Sequence, residues 1–311
     1  MRSYLAILAA AAALTVFVTS FPSWMLDPYG IRHPLAGNVS WPVNDRASKI
    51  AFLAKNCDKF DAYFAGNSRT QILTGNEFAG GAGARYYNMG TLAEDIWQSL
   101  AHFEFLLRMG CPVSTLIVGE SVDILVPHNP DSLWQREHPL VTGENPLLFY
   151  AKYFLGPQVA IAYLRSRADP SPHPMFYYPD GHVDYLWDMK RDADFALPIC
   201  DRNSTLTAKA KEDLFGRLHA YRRLAALAIE HHVKVVVWLT PLSKSKNVVL
   251  NDADVDHYLA ELRQISGLSV LEGDRESPLL SDFHQWHDCS HFHRAVFDRL
   301  IAPGISRLLQ E

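Results

Sequence analysis

The seven residues "VKVVVWL", Val233 to Leu239, restrict the possible folds more than any other stretch of this chain. Six of the seven are apolar, so a strand made from them offers water no polar face. Such a strand belongs inside a sheet covered by helices on both sides. In the stretch before it, Thr207–His231, apolar Leu214, Leu218, Tyr221, Leu224 and Leu227 recur at helical spacing. The same alternation runs along the chain. Further strands are expected at Ala62–Ala65, Arg85–Tyr87, Thr115–Val118 and Ser269–Leu271, and further helices at Ala93–Arg108, Asp254–Ile265 and His293–Leu309. Asn44 or Asp45 can cap a short lead-in helix, "RASKIAFLAKN". A chain that alternates β and α in this way folds as an α/β protein, a doubly wound parallel sheet between helical layers.

Residues 127–203 break the rhythm with many prolines, aromatics and histidines. A segment of that length inside a compact domain is usually a lid or a binding excursion. It reads as an aromatic-rich insertion carrying helices at Pro146–Leu155 and Gln158–Arg165 and roofing a cleft. The aromatics, 12% of the chain with 7 Trp and 13 Tyr, divide between core packing and groove walls. The organisation is then an N-terminal segment 1–21, a linker and lead-in helix 22–57, and one domain 58–311 that contains the insertion.

After Arg2 no charge appears until Asp27. The uncharged run Tyr4–Phe21 is close to the shortest helix that crosses a bilayer. An uncleaved membrane anchor is favoured over a cleaved signal peptide, for which Val18-Thr19-Ser20 offers small residues. Arg2 on the short side places the N-terminus in the cytoplasm and the body outside it, periplasmic or at the cell surface. Secretion after cleavage is the alternative. A net charge of −5, with basic residues scattered, gives no argument for nucleic acid. Cys57, Cys111, Cys200 and Cys289 are too widely spaced for a zinc knuckle or a redox pair. Export permits disulfides, although some of the four are expected to stay as buried thiols.

In open α/β sheets, ligands collect beyond the carboxyl ends of the strands. "AYFAGNSRT" delivers Ser68 to one such end, although Gly66-Asn67 is also ordinary turn material and Ser68 could be a helix cap. Near the far terminus, "HDCSH" sets Asp288 three residues before His291, ahead of a helical pattern. A serine nucleophile needs a base within hydrogen-bond reach, and the base needs a third group to fix its tautomer. Ser68, His291 and Asp288 supply these three roles.

Strand-Gly-Asn-Ser, then "YNMG" about twenty residues on, then "DCSH", resembles the SGNH (GDSL-like) hydrolase superfamily over roughly Asp61 to Leu309, apart from the insertion. The resemblance implies a three-layer α/β/α fold and a serine esterase or O-acyltransferase without a cofactor. By that analogy Ser68 is the nucleophile, Gly90 the oxyanion glycine, and Asp288 with His291 the last block. One block departs from the pattern. Where these families present Gly-x-Asn, this chain reads Gly119-Glu120-Ser121. Losing one oxyanion donor costs about 10²–10³ in rate. The amides of Ser68 and Gly90, with the side chains of Asn67 or Asn88, are the expected replacements, and Glu120 and Asp123 are expected to orient the site or bind substrate. Anchor, "DPYGI" linker and "GNSRT" together resemble membrane-tethered members near polysaccharide acetylation, which implies an acylated carbohydrate or other ester as substrate. The missing asparagine leaves a second reading open, a catalytically inactive scaffold or glycan-binding component of an envelope assembly.

Arg69 either binds an anionic or hydroxyl-rich substrate or pairs structurally within the protein. His284, His287, Asp288, His291 and His293 fall before the helical pattern or at its start, so the four-residue spacing of His287 and His291 does not make the face of a helical zinc site, and no metal is expected. "TPLSKSKN" follows the strongest strand, so Ser243, Lys244 and Lys246 either line the cleft or form a solvated loop.

Overall fold

The computed structural model describes residues 2–32, 37–39, 43–76, 78, 83–122, 132–169, 174–186, 208–243, 253–288 and 290–311. In chain order its elements are α1 (Arg2–Leu26), β1 (Gly37–Val39), α2 (Asp45–Asn56), β2 (Ala62–Gly66), β3 (Tyr86–Asn88), α3 (Ile96–Arg108) and β4 (Thr115–Glu120). There follow α4 (Pro139–Thr142), α5 (Pro146–Phe154), α6 (Gln158–Ala168), β5 (Met175–Tyr177) and β6 (Val183–Tyr185). The chain finishes with α7 (Ala208–Glu230), β7 (Lys234–Leu239), α8 (Ala253–Arg263), β8 (Leu268–Leu271), α9 (Arg294–Leu300) and α10 (Ala302–Gln310).

Five strands form one all-parallel sheet in the order β3-β2-β4-β7-β8. The side chains of β7 explain the layering. Val235, Val237 and Leu239 join a core with Ile50 and Leu53 of α2, Phe103 and Leu106 of α3, Leu214, Leu218, Tyr221 and Leu224 of α7, and Leu259 of α8. Val236 and Trp238, on the other face, join Val296 and Phe297 of α9 and Ile305 of α10. Successive side chains of a strand point to opposite faces, so the unbroken apolar run Val235–Leu239 needs both helical layers. The expected doubly wound α/β architecture is the one observed.

Local chemistry fixes the helix starts. Asn44 accepts from the Ala47 amide at 2.9 Å to cap α2. Asp95 and Gln98 form a reciprocal capping box on α3. Asn145 caps α5, with Pro146 at a position where no amide is needed.

The structure corrects several expectations. α1 continues through Pro22 to Leu26, five residues past the expected end of the N-terminal segment. The single C-terminal helix expected over His293–Leu309 breaks at Ile301, where Pro303 in the first turn of α10 cannot continue the hydrogen-bond ladder of α9. A second, antiparallel sheet, β1-β5-β6, joins the linker to the insertion. Of the disulfides that export permits, one is present: Cys57 and Cys111 have their sulfurs 2.07 Å apart, tying the end of α2 to the turn before β4, which leaves the expectation of buried thiols to Cys200 and Cys289. Cys200, Cys289, Asp123, Lys244 and Lys246 lie outside the described residues, as do 127–131, 170–173 and 187–203 of the insertion.

Candidate active site

Strand order reverses between β2 and β4, the first and third strands of the sheet, which is where a doubly wound sheet opens a crevice beyond its carboxyl ends. Gly66 and Gly119, the residues paired at that end, leave room for the chain to turn. Gly66 has φ +127°, and a Cβ there would stand 2.7 Å from the Gly119 carbonyl oxygen and 2.8 Å from Thr70 Oγ1. Only glycine fits. The chain then runs through turns rather than a helix, with the Thr70 amide donating to the Asn67 carbonyl at 2.9 Å and Leu73 to Thr70 at 3.1 Å.

Ser68 lies in this turn and is nearly buried. Its Oγ is 2.7 Å from His291 Nε2, across 223 positions of sequence. His291 Nδ1 is 2.7 Å from Asp288 Oδ2. Asp288 Oδ1 accepts the amides of Ser290 at 2.6 Å and His291 at 2.7 Å, and the loop is closed by the His287 amide on the His291 carbonyl and by a Trp286–Phe292 bridge. Burial alone would raise the Asp288 carboxyl. The His291 hydrogen bond and charge, with the two amides, overcome that and hold it well below the usual carboxylate range. An ionised carboxylate only accepts, so Nδ1 carries the proton and Nε2 is left to accept the Ser68 hydroxyl. The arrangement can therefore take a proton from Ser68 as its oxygen attacks an electrophile.

Arg69 follows and is buried. Its Nε donates to the Ser290 carbonyl at 2.8 Å and its Nη1 to Ser121 Oγ at 2.9 Å and Thr240 Oγ1 at 3.1 Å. One guanidinium thus ties the loops after β2, β4 and β7 to the loop that carries Asp288 and His291. Ser121 stands at the third position of Gly119-Glu120-Ser121, where the resemblance calls for asparagine. Its Oγ also takes the Asn67 side-chain amide at 2.6 Å and meets Thr240 Oγ1 at 2.5 Å.

The remaining expected residues are near one another but engaged internally. Asn67 Oδ1 accepts the Arg69 amide at 2.9 Å. Asn88 Nδ2 reaches the carbonyls of Thr70, Gln71 and Leu73, and its Oδ1 accepts the Gly90 amide at 2.9 Å. Gly90's carbonyl accepts Lys49 Nζ at 2.5 Å. Among the described residues the Ser68 amide donates to no acceptor. Glu120 belongs to the α7 side of the sheet, where Arg217 Nη1 donates to it at 2.6 Å and the Tyr221 hydroxyl at 2.7 Å. Burial works against the charge on Arg217, but the adjacent Glu120 outweighs it and raises the guanidinium above its ordinary value. The same Nη1 donates to the Ser121 carbonyl at 2.7 Å, so Glu120 braces the loop after β4 through Arg217. Ser243 is buried.

Three further residues contribute to the site. Tyr185, from β6 of the insertion, donates its hydroxyl to the Ser68 carbonyl at 2.7 Å and to Gln71 Oε1 at 3.1 Å. Lys49 is buried, and desolvation pushes its amine down to about 8 against the pull of Asp45, Glu94 and Asp180. Thr240, the first residue past β7, braces Ser121. The aromatic richness of the insertion was the only signal for Tyr185; nothing in the local pattern marks Lys49 or Thr240. Among the described residues no group of histidine, cysteine and carboxylate side chains has the arrangement of a metal site. A scan against the models of known protein families finds no match for this chain, and a search of curated proteins finds no relative.

Proposed function

We propose that this protein is a serine esterase or O-acyltransferase of the SGNH type, acting on acyl esters such as those of an exported or envelope polysaccharide. One observation carries the reading: two consecutive 2.7 Å contacts link Ser68 Oγ to His291 and His291 to Asp288 at the switch point of the sheet. In the proposed reaction Ser68 Oγ attacks the acyl carbonyl carbon while His291 Nε2 takes the hydroxyl proton. The tetrahedral intermediate collapses, its bond to the alcohol breaks, and the departing alcohol receives that proton. Water or a sugar hydroxyl then attacks the acyl-enzyme, gives its proton to His291, and the acyl group leaves with Ser68 restored. Asp288 stabilises the imidazolium at each stage. The Ser68 amide is the proposed oxyanion donor. Asn67 and Asn88, already committed to internal acceptors, act as positioning residues.

α1, retained as an anchor, holds the domain outside the cytoplasm in this reading. The Cys57–Cys111 disulfide and the buried Ser23 side chain, which contacts the folded body, support it. A second reading, an inactive scaffold, is favoured by the internal engagement of the Gly90 amide and both asparagines. The discriminating experiment incubates the full chain in detergent with p-nitrophenyl acetate and acetylated oligosaccharides, beside Ser68→Ala. Turnover and labelling by a fluorophosphonate probe, both abolished in Ser68→Ala, are expected. Equal background from both proteins on every ester, with no labelling of Ser68, overturns the enzyme reading in favour of the scaffold.

A further inference from the structure

α1 does not end in free space. Ser20 Oγ accepts the Gly156 amide at 3.1 Å. Ser23 Oγ donates to the Gly156 carbonyl at 2.8 Å and accepts the Ala160 amide at 3.3 Å, and Ser23 is 0% exposed. Gly156, with φ +94°, is the corner between α5 and α6. The last turns of α1 are therefore hydrogen-bonded into the α5–α6 hairpin.

The length of α1 gives that joint a depth. Residues 3–22 expose their apolar side chains. Tyr4 and Trp24 stand twenty residues apart, or about 30 Å along a helix, the thickness of a bilayer's hydrocarbon core. Toward the Trp24 end, Phe17 and Phe21 have ring centroids 5.3 Å apart, Phe21 stacks on Trp24 at 6.2 Å, and the Arg32 guanidinium lies 3.9 Å over the Trp24 ring. A tryptophan with a cation over its ring marks the level of a membrane–water interface. Ser20 lies one helical turn inside that level, about 6 Å. The hairpin corner bonded to it shares that depth, which is where interfacial helices bury their apolar faces.

The hairpin is built for such a place. Buried Phe149 and Tyr153 pack with Ile31 and Ala47 and fix it to the domain, while Leu147, Leu148, Leu155, Ile161 and Leu164 stand 79, 60, 59, 44 and 55% exposed. Lys152, Arg165 and Arg167 are exposed beside them, and residues 146–168 contain no acid. Cations without acids suit anionic headgroups. The hairpin is also rigidly tied to the core, with Asn44 Nδ2 donating to the Tyr153 hydroxyl at 2.7 Å and that hydroxyl donating to the Leu133 carbonyl at 2.6 Å.

We propose that the α5–α6 hairpin dips into the bilayer interface beside α1 and, with it, seats the domain at a fixed angle on an anionic membrane surface. The proposal rests on the reading of α1 as a retained anchor. The full chain is reconstituted in vesicles of phosphatidylethanolamine and phosphatidylglycerol doped with a phospholipid bearing an acyl-chain diazirine, irradiated, and mapped by peptide mass spectrometry. Lipid adducts are expected on residues 147–164 as well as 3–26. Leu155→Glu with Leu164→Glu loses the hairpin adducts and keeps those on α1. Adducts confined to 3–26 overturn the proposal while leaving the anchor intact, and cross-links between hairpins of two copies in place of lipid adducts overturn it in favour of a protein interface. Adducts on neither segment remove the anchor and the proposal together. The wild-type map decides even if the double variant fails to fold.

Discussion

Tyr185 sets its ring edge-on to His291, with centroids 5.2 Å apart and planes at 69°, while its hydroxyl holds the Ser68 carbonyl at 2.7 Å. One side chain from the insertion thus touches both partners of the serine–histidine pair. Tyr185→Phe keeps the ring and removes the hydroxyl. The expected result is a five- to tenfold fall in kcat, matching one hydrogen bond of about 1 kcal/mol, with KM little changed. Steady-state kinetics on an activated acetyl ester check this; an unchanged kcat would show that the hydroxyl only packs the turn.

Ser68→Ala and His291→Ala are each expected to lower kcat by about 10⁶, leaving the residual rate that binding and oxyanion stabilisation supply. Asp288→Asn preserves shape but no longer fixes the imidazole tautomer, and about 10³–10⁴ of kcat should be lost. Because removed groups act as a unit, the double variant His291→Ala with Asp288→Asn should be no slower than His291→Ala alone. Additive losses on the logarithmic scale would argue that the two side chains work separately.

Arg69→Lys retains a charge but loses the planar fork that spans Ser290, Ser121 and Thr240. Activity should fall by about ten- to a hundredfold, through misplacement of the Asp288–His291 loop. Fluorophosphonate labelling of Ser68 should slow in parallel. Retained labelling with weakened substrate binding would instead make Arg69 a substrate contact.

His102 offers a pH test away from the site. It is buried, 3.0 Å from Glu137 and 3.5 Å from Glu94. Burial lowers its pKa, but the two carboxylates prevail and raise it to about 10. The folded protein therefore holds a proton that the unfolded chain releases above about 6.5. This group's stabilisation is complete below that pH and is lost as pH rises toward 10, at about 1.4 kcal/mol per pH unit for one proton. Denaturation midpoints across this range should fall with pH in the wild type and change less steeply in His102→Gln. Parallel slopes would place the proton elsewhere.

The Cys57–Cys111 disulfide closes a loop across 54 positions. Replacing both cysteines with serine is expected to cost about 2–4 kcal/mol, seen as a lower urea midpoint in detergent. The loop contains β2 and the Ser68 turn, so activity should also become more sensitive to temperature.

The parallel sheet was legible because its central strands carry continuous apolar runs, Leu116–Val118 and Val235–Leu239, and Ser68, Asp288 and His291 stood out because their residue types sit in strand-end and pre-helix settings. What escaped depends on register between distant segments. Ser121 and Thr240 become partners only because β4 and β7 are paired neighbours, with Glu120 opposite Leu239. Strands of three residues, such as β5 and β6, carry too little pattern to reveal the small sheet or the position of Tyr185. Four cysteines allow three pairings, and only the fold brings Cys57 to Cys111. Glu120 drew notice from its place in Gly119-Glu120-Ser121, but its partner Arg217, through which it braces the loop after β4, lies 97 positions away and only the fold brings the two together.

The 223 positions between Ser68 and His291 have a consequence in time. Synthesis or translocation from the N-terminus delivers the Ser68 turn long before its imidazole partner. Any chain interrupted before His291 carries a hydroxyl with no base beside it. Reactivity, if it arises from this pair, is switched on only as the loop of Asp288 and His291 docks, so the site matures with the arrival of that loop and not with the folding of the Ser68 turn.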